Sequence, residues 1–257
     1  MTVSELYRFL ENKVSKRLSC EWDNDGLMCC SDPEREVKRV LLALDITEAI
    51  VNEAQEMGCD VILSHHPLVF RPVKALTPEG GVPRKLIRLV QNGISAMSFH
   101  TRLDAVCGGV NDMLAATLGL ENVSAFGPDG EQMGRLGNLA APLSLEVFAE
   151  QVKKTLGAPF VLVSGAGQVF RVAVLGGEGD DFIGEAESVG ADVLVSGRLG
   201  YHPMTDAPEG GIALIEAGHY YTERPVLSAL AAMVKEADGS IETLIAESGN
   251  IKAVPEG

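Results

Sequence analysis

Val37-Lys-Arg-Val40 leads through Glu53-Ala54 to Gly58-Cys-Asp-Val61-Ile-Leu-Ser64-His65-His66. A second segment, 132 positions later, repeats it: Val169-Phe-Arg-Val172, Glu185-Ala186, then Gly190-Ala-Asp-Val193-Leu-Val-Ser196-Gly197-Arg198. Nine of the thirty aligned positions are identical without a gap. In the first copy Arg39 to Ile46 and Asp60 to Ser64 are short, apolar and rich in branched residues, which predicts strands, while Glu48 to Met57 has helical spacing. A helix between two such strands makes a β-α-β unit. The fold class expected is therefore α/β, built from two related lobes by internal duplication.

Outward from the repeat, Thr2-Val-Ser-Glu5 fits a capping box before a helix with Leu6, Phe9, Leu10, Val14 and Leu18 on one face. Helices are expected at Val82 to Asn92, Ala105 to Leu118, Leu145 to Leu156, Asp180 to Val189 and Thr222 to Lys235. Further strands are expected at Ile94 to Phe99, Phe160 to Val163, Val169 to Leu175, Val193 to Val195, Ile212 to Ile215 and Ile241 to Ile245. The Gly- and Pro-bearing stretch Glu121 to Arg135 marks the boundary between a first lobe, 1–124, and a second, 125–257.

Composition narrows the function classes. A net charge of −15 repels a nucleic-acid backbone, so DNA or RNA is not expected as the main ligand. The one basic run, Arg84-Lys-Leu-Ile-Arg88, reads as the wet face of a helix. The five cysteines are odd in number and lack C-x-x-C spacing, which points to reduced thiols in a cytoplasmic protein. No signal pattern opens the chain and no apolar run reaches membrane-spanning length.

Four of the five histidines fall in three clusters that follow apolar strands. Ser64-His65-His66-Pro67 stands at the carboxyl end of a strand, where open α/β sheets bind ligands. Adjacent strand residues face opposite ways, so both rings address one site only where the strand has ended, and Pro67 supports that break. His100-x-x-x-Asp104 places a carboxylate at a helix start, and His219-x-x-x-Glu223 puts two donors on one helical face if the helix has begun. Each cluster alone has a plainer reading: an incidental histidine pair, an N-cap aspartate, a charged first turn. Together they supply five or six ligands, more than one open catalytic zinc needs, so the count favours a two-metal centre between the lobes. Imidazole and carboxylate suit zinc, iron or manganese equally. In the second copy Gly197-Arg198 replaces the histidine pair. Arg198, with Tyr201 and His202 nearby, can face an anionic substrate or form a surface salt bridge.

Trp22-Asp-Asn-Asp-Gly-Leu27, Ser64-His-His-Pro67, His100-Thr-Arg-Leu-Asp104, Gly176-Gly-Glu-Gly179 and Gly218-His-Tyr-Tyr-Thr-Glu223 occur in this order. With these motifs the chain resembles the hexameric dinuclear-metal-centre proteins, also named GTP cyclohydrolase 1 type 2 homologues or NGG-interacting-factor-three-like proteins, in their short form. The resemblance covers nearly the whole chain. It implies two divalent ions held by His65, His66, Asp104, His219 and Glu223, with His100 beside the site, and a homohexamer whose metal sites face an inner cavity. One position departs from it: many relatives have Gly-Glu where this chain has Gly197-Arg198.

Two functions compete. One is a metal-dependent hydrolase of a nucleotide or related small molecule, with His100 or Glu223 shuttling protons and Arg198 and His202 on the substrate. The GTP cyclohydrolase assignment comes from the resemblance alone, since Gly176-Gly-Glu-Gly179 lacks the Gly-Lys-Ser/Thr end of a P-loop. The other is a non-enzymatic shell that stores or senses metal and docks a protein partner.

Overall fold

The structure, a computed structural model, describes residues 1–128 and 132–246. Residues 129–131 of the expected boundary stretch and 247–257 of the expected second lobe lie outside the described residues. In chain order the elements begin with α1 (Val3–Lys13), β1 (Gly26–Cys29), β2 (Arg39–Ala43), α2 (Glu48–Glu56), β3 (Val61–Ser64), α3 (Gly81–Asn92) and β4 (Ser95–Ser98). There follow α4 (Thr101–Ala105), α5 (Val110–Thr117), β5 (Glu121–Phe126), β6 (Gly134–Ser144), α6 (Leu145–Leu156), β7 (Leu162–Ser164) and β8 (Gln168–Glu178). The last are α7 (Ile183–Ser188), β9 (Val193–Arg198), α8 (Tyr201–Gly210), β10 (Ala213–Glu216), α9 (His219–Glu223), α10 (Val226–Ala237) and β11 (Glu242–Ile245).

The chain forms two compact units, Met1–Leu103 with the described residues from Leu227 onward, and Asp104–Val226. In the first, a sheet of order β1-β4-β3-β2-β11 has its last four strands parallel and β1 antiparallel at the edge. Leu41, Ala43, Ile62 and Ala96 pack with Ile50, Val51, Ala54 and Leu89 of α2 and α3. In the second, the order is β5-β6-β8-β9-β10-β7 with only β8, β9 and β10 parallel. Its strands alternate cleanly. Val172, Val174, Val193, Val195 and Ile215 join Leu145, Phe148 and Val152, while Ala173, Leu175, Leu194 and Leu214 join Phe182 and Ala186. Both faces of this sheet are thus buried, each large side chain contributing about 1.5–3 kcal/mol of transfer free energy.

The division differs from the expected cut after 124. That position lies inside β5, whose Ser124, Ala125 and Phe126 pair with Leu136, Arg135 and Gly134 of β6. The chain passes between units within α4 and again at the start of α10. The reason is β11, which pairs in parallel with β2 (Thr243 opposite Val40, Leu244 opposite Leu41) and so belongs to the first sheet. Two expected helices are also divided: Ala105 to Leu118 breaks at Gly108, where φ is +76°, and Thr222 to Lys235 breaks at Pro225, which has no N–H to continue the ladder.

The repeat is visible in the hydrogen bonding. β2-α2-β3 and β8-α7-β9 have the same order, and Val40 opposite Val61 is matched by Val172 opposite Val193, with the next three pairs in step. Asp60 Oδ2 accepts from the backbone N–H groups of Lys38 and Arg39 at 2.8 and 3.1 Å. Asp192 Oδ2 accepts from those of Phe170 and Arg171 at 2.8 and 2.7 Å. Each aspartate fastens the start of one parallel strand to the start of the next, which explains why the type recurs at both positions. Asp60 also takes both Arg35 Nε and Nη2. Asp60→Ala is therefore expected to destabilise the first unit by about 3 kcal/mol, because hydrogen bonds to a charged group contribute about 1.5–3 kcal/mol each. Chemical denaturation monitored by circular dichroism checks this; a midpoint unchanged from the parent would refute the role.

Candidate metal centre

Within the first unit, β3 ends at Ser64 and delivers the histidine pair. Ser64 Oγ donates to the His66 carbonyl at 2.7 Å, a turn that takes the chain out of the strand. The two rings lie side by side, their centroids 4.8 Å apart. His100, following β4, joins them at 5.3 Å from His65 and 5.6 Å from His66. One nitrogen from each ring lies within 4.8 Å of the others. His100 is thus packed against the pair.

Each ring is oriented through Nδ1. His65 Nδ1 donates to the Phe99 carbonyl at 3.0 Å, His66 Nδ1 to Asp45 Oδ1 at 3.0 Å, and His100 Nδ1 to Asp23 Oδ1 at 2.9 Å. These acceptors carry no proton, so all three Nδ1 atoms bear the hydrogen and Nε2 is the basic nitrogen. Backing of this kind is how metal-binding imidazoles are fixed and made more basic. Burial raises the Asp23 carboxyl, but hydrogen bonds from His100 and Thr101 outweigh it and hold its pKa well below the ordinary value. Asp23 Oδ2 takes both the N–H and the hydroxyl of Thr101.

The rest of the Trp22–Leu27 motif supports the same strand end. Asp25 accepts from the His100 N–H at 3.1 Å and from Arg102 Nε at 2.9 Å. Arg102 is fully buried and reaches the Val14 carbonyl and Glu11. Asp23, Asp25 and Asp45 escaped a search for histidine–carboxylate spacing because they are remote in sequence; the signal for two of them was the Asp-Asn-Asp run itself.

Within the second unit, α9 begins at His219, so the i, i+4 geometry is realised and His219 Nε2 lies 3.0 Å from Glu223 Oε1. Glu223 is only 4% exposed. Room for it comes from a bulge in β8: the register with β9 slips between Leu175 and Glu178, at Gly176-Gly177. Gly177 has φ +73°, and a Cβ there would stand 2.6 Å from Glu223 Oε1. The Gly176-Gly-Glu-Gly179 motif therefore makes space for a carboxylate. Thr222 Oγ1 accepts from the Gly177 N–H at 3.2 Å and locks α9 to this bulge.

Asp104 lies in α4 with Oδ1 buried and its carbonyl accepting from Asn111 Nδ2 at 3.3 Å. Arg198, 70% exposed, pairs with Glu178 at 3.3 Å, the surface salt bridge foreseen as the alternative. It also lines a pocket of about 520 Å³ with Tyr201, Glu216 and His219. His202 is exposed beside Tyr201, ring centroids 5.5 Å apart, and is not among the residues lining that pocket. Cys29, Cys30, Cys59 and Cys107 are free thiols, and burial pushes the Cys59 thiol up to about 11. Among the described residues no helix is long and apolar enough to cross a membrane.

The donor chemistry fits divalent ions, with three imidazoles gathered in one unit and a histidine–carboxylate pair in the other. Known proteins resemble the chain over nearly its whole length. A Clostridium perfringens protein named GTP cyclohydrolase 1 type 2 homolog is 34% identical over 254 residues, covering 96% of this chain and 97% of its own. The crystal structure of a Bacillus cereus protein related to NIF3 superposes with a TM-score of 0.91 at 24% identity, covering 100% of this chain and 99% of that one. A Staphylococcus aureus hypothetical protein of known structure matches with a TM-score of 0.89 at 29% identity, over 99% of both chains. The model of the Duf34/NIF3 (NGG1p interacting factor 3) family matches residues 1–250, and the chain belongs to that family.

Proposed function

We propose that this protein binds two divalent ions through His65, His66, Asp104, His219 and Glu223, with His100 in reach as a sixth donor, and hydrolyses a nucleotide or related small molecule. The observation that carries the reading is the set of three histidines whose Nδ1 atoms are all committed to acceptors. Divalent ions in such a site supply Lewis-acid activation of water and of a substrate oxygen. The chain's residues do the rest. Glu223, buried and paired with His219, is placed to hold a proton, and Asp23 keeps His100 in one tautomer. Arg198 is the cation available in the neighbouring pocket to an anionic group, in competition with Glu178. The name of the Clostridium perfringens relative supports GTP cyclohydrolase-type chemistry as the first activity to assay. A homohexamer in the cytoplasm is the setting we propose, on the resemblance and on an odd set of cysteines without C-x-x-C spacing.

Metal analysis of untagged protein, followed by a nucleotide panel with the metal found, tests the reading. Turnover abolished by His65→Ala supports it. Full metal occupancy with no turnover on any nucleotide would overturn the hydrolase and leave a metal-holding regulatory shell. Asp23→Asn is a finer probe, since it loses the carboxylate that fixes His100. Metal affinity is expected to fall about 10–100-fold, the usual effect of removing such backing. Competition with a fluorescent chelator measures it, and parental affinity would show that His100 is not a donor.

A further inference from the structure

The tri-histidine cluster has an aromatic neighbour that the ligand count does not use. Trp22, the single tryptophan of the chain, is 62% exposed, and Phe70 is 46% exposed. Their ring centroids are 6.1 Å apart, edge to face. Each also stands edge-on to His100, at 6.2 and 6.4 Å. Two large apolar rings left in solvent forgo the free energy that burial would supply, yet both are held in place. Asn24, two residues after Trp22, donates from Nδ2 to the carbonyl of Val69, the residue before Phe70, tying the two loops together. Asp23, next to Trp22, anchors its loop on His100 and Thr101. The corner is therefore preorganised. Rings held at the edge of a donor cluster and about half exposed suit a flat π-system better than an aliphatic or sugar group, because stacking on an aromatic ring is available to any planar base.

We infer that Trp22 and Phe70 form a stacking subsite for a planar nitrogen heterocycle, a nucleobase or a ring of similar size, and that it presents the polar edge of that ring toward His65, His66 and His100. The inference rests on the proposed function for the chemistry next to the ring, but binding of the ring itself requires no turnover. It also assigns a division of labour: recognition of the base in the first unit by shape and stacking, with no basic cluster required. An acidic chain can in this way hold a nucleoside through its uncharged part.

Because Trp22 is the only tryptophan, its emission reports on the subsite directly. The full-length protein, metal-loaded and metal-free, is titrated with guanosine, adenosine, GTP, ribose 5-phosphate and inorganic phosphate. Saturable quenching by the base-bearing compounds and none by ribose 5-phosphate or phosphate is the expected result. By equilibrium dialysis, Trp22→Ala and Phe70→Ala are each expected to bind guanosine about 5- to 150-fold more weakly, the range that follows from loss of one stacking partner. Parental affinity in both variants would overturn the subsite. So would Trp22 emission that is blue-shifted and shielded from acrylamide in the native protein, which would show a second copy of the chain covering the corner. Quenching that persists in protein with no nucleotide turnover would keep the subsite and reject the hydrolase, so the two readings fail separately.

Discussion

His65→Ala is expected to lower the affinity of the protein for divalent metal by at least about 100-fold and to abolish any metal-dependent turnover. The magnitude follows from comparison: loss of a group that only supports a ligand costs about 10–100-fold, and loss of the ligand costs more. His65 is the stringent choice because it is fully buried at the strand end and its Nδ1 is committed to the Phe99 carbonyl. The substitution also leaves a small cavity and an acceptor that has lost its donor, so a modest loss of stability accompanies it. His202→Ala is the matched control: an exposed histidine outside the cluster, expected to leave metal content at the parental value. Elemental analysis after dialysis against a weak chelator reads both. Parental metal content in His65→Ala would remove the tri-histidine cluster from the metal site, and turnover without it would have to be explained by other residues.

The repeat was legible because its signal is local and repeated. Apolar strands of four or five residues, a glycine at the helix end and an aspartate before the second strand recur at a fixed offset, and the hydrogen bonds of Asp60 and Asp192 show the physical need behind the recurrence. The histidine clusters stood out because they follow apolar strands, whose ends in α/β sheets are where ligands collect. What escaped had no periodic signal. β5 is exposed at five of its six positions, so no alternation marks it as a strand. α8 has no fully buried residue and carries Pro208 in its interior, so its sequence does not read as a helix, although Met204 and Ala207 pack against the core. The unit boundary escaped for a topological reason: β11 completes the first sheet from the far end of the chain, and a linear cut cannot express that. The carboxylates that orient His66 and His100 lie 21 and 77 residues from their partners.

Gly197→Ala, a change of one methyl group, is expected to damage the second unit more than most core substitutions. Gly197 stands where the first copy has His65, and the two copies pair their strands in the same register up to Ser64 and Ser196. Beyond that point they diverge. A Cβ on Gly197 would meet the Gly177 carbonyl at 2.6 Å, Thr222 Oγ1 at 2.6 Å and His219 Cα at 2.7 Å. Two of those three are backbone, so relief requires moving the bulge in β8 or the whole of α9. Moving either one disturbs the His219–Glu223 pair. The cost expected is about 3 kcal/mol or more, at the upper end for overpacking, together with loss of whatever metal affinity His219 and Glu223 provide. Gly184→Ala supplies the contrast: it lies in α7 with nothing within 4 Å of the added atom, and it should be neutral or slightly stabilising. Denaturation midpoints and metal content of the two variants decide the matter. Equal midpoints would mean that α9 is loosely seated and that the glycine is incidental. The expected difference means that the close approach of the α9 backbone excludes a side chain at this strand end, and that this approach is what brings His219 and Glu223 into place.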